Sequence, residues 1–149
     1  MDESEIDSFL REQDSGTLSL TNGEETYAIP ESFGYDGENL YFHMAYTTDS
    51  QKMEFIETTE VATFTTYRED TSASSVIARG EIERVPESDE ILASRAFADN
   101  TVVPVLNVSI EESIDQLDFD FYRLRPTELT GRKFGDNLGR PDRTEQSTS

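Results

Sequence analysis

The chain has no cysteine, two lysines and a single histidine among its 149 residues. Without cysteine it can form neither a disulfide nor a thiolate metal site. One histidine cannot supply the usual imidazole set, and no spacing of His, Asp and Glu suggests a metal centre. Lysine scarcity belongs to a wider shortage of positive charge. Twelve Lys and Arg stand against 32 Asp and Glu, a net charge of −20, with a sequence pI of about 4.1. No basic patch exists to displace the counterions of a nucleic acid, which excludes that class of partner. Long apolar runs are missing as well: none approaches the roughly 18 residues of a membrane span. The opening MDESEIDSFL carries no basic region of a signal peptide. The expectation is a cytoplasmic protein with no membrane partner. The Gly-rich turn of dinucleotide folds is absent, as is the GxSxG elbow of serine hydrolases.

Hydrophobic residues amount to 34%, a low value that with this charge would ordinarily suggest disorder. Nine Phe and six Tyr set in periodic segments argue instead for a folded core under a very acidic surface. Ten of the twelve cations are arginine. Such a surface suits a salt-filled cytoplasm, because at molar salt the Debye length falls to about 3 Å and carboxylate repulsion is screened. A halophilic source is the expectation. At this length one domain is expected, over residues 1–138, followed by a polar tail over 139–149 with nothing apolar to bury.

Along the chain, Ile6, Phe9 and Leu10 share one face of a helix expected over 4–14, with Ser4 as N-cap and Gly16 as stop. Thr17–Thr21 alternates and runs into Asn22-Gly23, a hairpin signal, and Thr26–Gly34 reads as the return strand. Pro30 within that strand cannot donate to a ladder, so it belongs at an edge, a bulge or a ligand-facing break. A second hairpin turn is expected at Tyr35-Asp36-Gly37-Glu38, leading into the strand that holds Phe42. Ser50–Thr58 reads as a short helix capped by Ser50. Val61–Arg68 and Ser74–Val85 read as strands, with Gly80 marking a bulge or a close approach. A helix over Asp89–Ala98 with Ile91, Leu92, Arg95 and Phe97 as its marked positions follows, and Phe119–Leu124 is the last strand. Residues 101–110 are apolar but broken by Pro104, and are equally readable as strand or packed loop. The sum is six or seven strands joined largely by hairpins, with three short helices: mainly β, a small antiparallel barrel with peripheral helices.

Two places carry candidate chemistry. Thr47, Thr48, Ser50 and Lys52 gather three hydroxyls and a cation where a strand ends and a helix begins, an arrangement suited to an anion such as a phosphate. His43 is the only histidine, either packed structurally or poised to move a proton. Tyr41, Phe42, Tyr46 and Phe33 read first as core, and the carboxylates as solvated surface.

The ordered set Gly16, Tyr27-Ala28-Ile29-Pro30, Tyr35-Asp36-Gly37, Leu40-Tyr41-Phe42-His43, Lys52 and Ser75-Val76-Ile77 leading to Gly80 resembles the pyridoxamine 5'-phosphate oxidase-like split barrels. The likeness covers roughly residues 9–125 and is nearest to the nitroimidazole-resistance-type branch. It implies an antiparallel split β-barrel and a homodimer with FMN at the subunit interface. The FMN phosphate would lie near Thr47, Thr48, Ser50, Gln51 and Lys52, and the isoalloxazine along Pro30, Glu31 and Ser32 and along Phe42, His43, Met44 and Ala45. Ser74 and Ser75 would close the site from the partner. The sequence departs from the family where many members carry an Arg-Lys pair and this chain has Gln51-Lys52; Arg79 or Arg123 would then assist. Motifs for vitamin B6 substrates are not evident. The resemblance thus implies an FMN-dependent oxidoreductase acting on a small molecule, with His43 in or beside the reaction. The alternatives are a non-catalytic binder of flavin or haem and a deazaflavin-dependent reductase.

Overall fold

A computed structural model of the chain describes residues 1–46, 50–100 and 118–135. The described elements are α1 (Glu3–Glu12), β1 (Ser15–Thr21), β2 (Thr26–Ser32), β3 (Gly34–Tyr35), β4 (Leu40–Tyr46), α2 (Gln51–Thr58), β5 (Ala62–Glu69), β6 (Ala73–Arg84), α3 (Glu90–Asn100) and β7 (Asp118–Phe134). A single 3-10 turn, Glu87–Asp89, precedes α3. The seven strands form one sheet in the order β2-β1-β5-β6-β7-β4-β3, and every pairing is antiparallel. The curled sheet and its three helices match the split-barrel expectation.

The first hairpin turns at Asn22, whose side-chain oxygen accepts the amides of Glu24 and Glu25 at 2.9 and 2.8 Å. At the second, Gly37 takes φ 95°, open to glycine at little cost. The Asp36 carboxylate accepts the amides of Glu38 and Asn39, and the Tyr41 hydroxyl donates to it at 2.9 Å.

The expected return strand over 26–34 is two strands. β2 pairs with β1 and β3 with β4, so consecutive segments lie at opposite edges of the sheet. The crossing is made at Phe33, which is fully buried and packs on Phe64 with ring centroids 4.9 Å apart. A large apolar side chain that must turn inward there ends the alternation. Pro30 sits on the edge strand β2, where a missing amide costs no ladder bond to a further strand.

The barrel interior holds Leu18, Leu20, Ile29, Leu40, Phe42, Met44, Phe64, Val76 and Leu124, closed by Ile6, Phe9 and Leu10 of α1 and by Phe55 and Ile56 of α2. Phe33, Tyr41 and Phe42 are core, as their aromatic character suggested, and Tyr46 is half-buried. A smaller core on the outer side of β4 packs Tyr41 and Val85 against Ala93 and Ala96 of α3. Helix α3 therefore turns Ala93, Ala96 and Phe97 inward. Ile91 and Leu92, read from the sequence as part of its apolar pattern, are 76% and 45% exposed. Close approach to β3 leaves room for alanine only.

Two helix ends differ from expectation. Asp2, not Ser4, caps α1 through a reciprocal capping box with Glu5, because the helix starts two residues earlier. Gln13 ends it, and Gly16 lies in β1 against Phe64. Gly80 is both the bulge and the close approach: the β6–β7 register shifts between Arg79 and Gly80, and a Cβ there would collide with the Arg125 carbonyl. The last strand runs ten residues past the expected Leu124, to Phe134. The segments 101–110 and 139–149 lie outside the described residues. Among those residues no helix is long and apolar enough to cross a membrane.

Candidate functional site

Alternation along β4 divides the expected ligand residues between two faces. Phe42 and Met44 are fully buried in the barrel, so their side chains are core. His43 and Ala45 point to the outer face. There the imidazole stacks on Phe121 with ring centroids 4.4 Å apart, and meets Phe119 at 5.4 Å and Phe97 at 5.8 Å. His43 is half-buried and neither ring nitrogen makes a hydrogen bond to a described residue. Burial pushes its imidazolium below the usual histidine range, and the nearby charge of Asp120 works the other way. The neutral ring is therefore the resting form at neutral pH. It can accept a proton, donate one, or ligate, without first breaking a protein contact.

Lys52 departs from the picture of a lysine at the solvent. It is 6% exposed, inside the first turn of α2, with its ammonium 3.4 Å from the Glu31 carboxylate, itself 3% exposed. Alternation along β2 turns Tyr27, Ile29 and Glu31 toward α2, where Tyr27 stacks on Phe55 at 5.2 Å. Pro30 points outward and is exposed, while Ser32 is buried beside the crossing. Ser50 occupies the N-cap as expected, but its hydroxyl makes no capping hydrogen bond, and Gln51 beside it is exposed. Ser50 and the first turn of α2, which carries Lys52, thus lie together at one end of the helix. Thr47 and Thr48 lie outside the described residues.

Ser74 and Ser75 stand apart from this group. Ser74 lines a shallow groove with Met1, Ser4, Ser8, Arg68 and Lys133 along α1. Ser75 faces outward in a row across three strands, between Tyr67 and Arg132. Of the two arginines offered as helpers, Arg123 is 8% exposed and engaged by Glu83 and Asp89, and Arg79 pairs with Glu128 on the outer face at 3.2 Å. Neither is held near Lys52 by these contacts.

Sequence reasoning missed two features. The Asp120 carboxylate joins Tyr46, at the end of β4, to Arg84, whose guanidinium donates at 2.9 Å. Strand alternation over Phe119–Tyr122 puts Asp120 and Tyr122 on one face, but does not put them opposite Tyr46. The second is an uncharged outer row, Pro30–Thr17–Thr65–Ile77–Thr130, formed by direct register across five strands. Tyr67, one row away, is 56% exposed.

The family model for pyridoxamine 5'-phosphate oxidase matches residues 2–133. No curated protein matches the chain significantly. Solved structures do. An FAD-binding protein from Mesorhizobium loti superposes with a TM-score of 0.70 at 16% identity, over 91% of this chain and 96% of that one. A candidate 5-nitroimidazole antibiotic resistance protein from Bacteroides thetaiotaomicron VPI-5482 gives 0.66 at 18% identity, over 90% and 85%. A haem-binding protein from Mycobacterium smegmatis gives 0.65 at 16% identity, over 87% of this chain and 53% of that longer one. At these identities the likenesses show a shared fold.

Proposed function

Because this chain belongs to the pyridoxamine 5'-phosphate oxidase family, we propose that it is a flavoprotein of the nitroimidazole-resistance-type branch, binding FMN between two copies of itself. The observation that carries the reading is His43, an imidazole without a hydrogen-bond partner among the described residues, stacked on Phe121 in an aromatic cluster with Phe119 tilted and Phe97 edge-on. Aromatic rings in offset and edge contact suit a planar heterocycle, and the imidazole beside it suits proton exchange with a bound small-molecule substrate. Flavin would supply the hydride or electron chemistry, while the chain's own residues bind, orient and shield it. Lys52 with Ser50, Gln51, Thr47 and Thr48 is the proposed phosphate end.

Support for the second copy comes from the outer row Pro30–Thr17–Thr65–Ile77–Thr130. In a chain with 32 carboxylates, five neighbouring strands present a line without charge, flanked by exposed Tyr67. Depletion of charge with aromatic enrichment is what the centre of a protein interface has. Ser75 lies on that face, which suits its assignment to the partner's site. We place the protein in a salt-rich cytoplasm on the strength of its acidic surface.

Denaturing the purified protein and identifying the released small molecule by mass spectrometry tests the proposal. FMN at about one per chain is expected, with bleaching of its absorbance by NAD(P)H and recovery on adding an acceptor. A protein that releases no flavin and takes up none from saturating FMN is not a flavoprotein. Release of haem instead would favour the second reading, in which His43 would be the residue to hold the iron.

A further inference from the structure

The proposed phosphate end contains its own anion. Lys52 and Glu31 are both more than nine-tenths buried, yet their contact is 3.4 Å, longer than the 2.7–2.9 Å of a well-formed ammonium–carboxylate bond. The arrangement has three physical costs. Both side chains are desolvated, the single long contact returns little to the Lys52 ammonium, and Lys52 sits in the first turn of a helix, where the macrodipole disfavours a cation. A carboxylate at that helix end is favoured by the same dipole. Stability alone gives no reason to keep such a pair, since apolar residues of like volume serve at least as well.

We propose that Glu31 is a built-in counter-anion that occupies Lys52 until a ligand phosphate takes its place, so that it sets how much negative charge the site accepts. The inference rests on the flavin reading of this site and adds a residue that opposes binding. With Glu31 ionised, the Lys52–Glu31 pair is neutral and a phosphate monoester arriving there meets a carboxylate as well as an ammonium. Replacing that carboxylate by a neutral isostere leaves Lys52 available, and the gain falls on ligands that carry the phosphate.

The test compares wild type with Glu31→Gln by fluorescence titration of FMN and of riboflavin, which lacks the phosphate. A thermal-shift series in inorganic phosphate is run beside it. The expected result is FMN bound about tenfold tighter by Glu31→Gln, from relief of like-charge repulsion. Riboflavin should be unchanged within about twofold, and phosphate should raise the Tm of the variant more than that of wild type. Riboflavin binding retained with FMN binding equal or weaker in the variant overturns the proposal. If neither protein binds either flavin, the flavin reading fails, and the phosphate series still decides: a larger shift in the variant upholds the counter-anion, an equal shift overturns it. Should Glu31→Gln not fold, Glu31→Asp, which withdraws the carboxylate by one methylene, is expected to gain FMN affinity in the same direction and by less; no gain overturns the idea.

Discussion

Two buried cations in this molecule are treated in opposite ways. Arg123 lies under the 3-10 turn that precedes α3. It donates to Glu83 at 2.9 and 2.6 Å and to Asp89 at 3.2 Å, and shares a hydrogen bond with Tyr41. Burial works to lower its pKa and is outweighed by those bonds, so the guanidinium is held more firmly charged than in water. Lys52 has one carboxylate, at 3.4 Å. The planar fork of arginine lets several donors be satisfied at once, whereas the lysine ammonium faces a single partner among the described residues across a gap. One cation is fastened into the fold, joining β4, β6, β7 and the 3-10 turn. The other is held where a competing anion could take it. Burial by itself does not separate a structural charge from a functional one; completeness of its hydrogen bonding does.

The comparison can be broken most forcefully at Arg123. Arg123→Ala should destabilise the protein by about 2 kcal/mol, since it removes a buried guanidinium that is bonded to two partly exposed carboxylates. Chemical denaturation measures it, and a loss below about 1 kcal/mol would show that the network is ornamental. Salt sharpens the point. Raising KCl toward molar strength should stabilise wild type, by screening the −20 surface, yet shrink the Arg123→Ala difference only in part, because the guanidinium is buried while its carboxylates are partly exposed.

A smaller effect is expected on the other side. Replacing both partners together, as Lys52→Met with Glu31→Leu, should change stability by less than about 1 kcal/mol, because the exchange removes two desolvated charges and keeps the volume. FMN uptake should nevertheless fall. A double variant that unfolds would make the pair structural after all and erase the contrast with Arg123.

The smallest effect concerns pH. The folded-state pKa of His43 lies below its unfolded value, so the unfolded chain binds the proton first. The neutral imidazole contributes stability above about pH 6.5, and that contribution is lost as pH falls through the folded pKa. Wild type should therefore lose stability relative to His43→Phe as pH drops from 7 toward 5, read from their denaturation midpoints. Parallel curves would mean that the imidazole titrates as freely folded as unfolded.

Much of the fold was legible. Asn22-Gly23 and Asp36-Gly37 announced their hairpins because only a few residues tolerate the backbone those turns need, and Ile6, Phe9 and Leu10 marked the buried face of α1 by spacing alone. The length of β7 was not legible, for a physical reason. Up to Leu124 it pairs with β4 and alternates apolar with polar; beyond Leu124 only β6 pairs with it, so RPTELTGRKF is free to be polar. Pro126, which reads as a breaker, stands opposite Gly80 at the register shift, where no regular ladder bond is lost. The site was legible in its residues and not in their partners. Nothing in periodicity tells that Glu31, 21 positions before Lys52, will face it across the barrel end. Nor does the sequence reveal that His43 will lie among three phenylalanines, since Phe97 and Phe121 come to it from α3 and β7.

The crossing at Phe33 gives the barrel an unusual kind of closure. β2 and β3 are opposite edges of one sheet, yet they are joined by a single residue of chain. Around most of its circumference this wall is laced by hydrogen bonds that exchange partners cooperatively. At the seam it is tethered by covalent bonds, which can flex but not slip. Any widening that admits a ligand beside Glu31 must pivot on that tether, and the strands on either side can part there without surrendering a ladder bond.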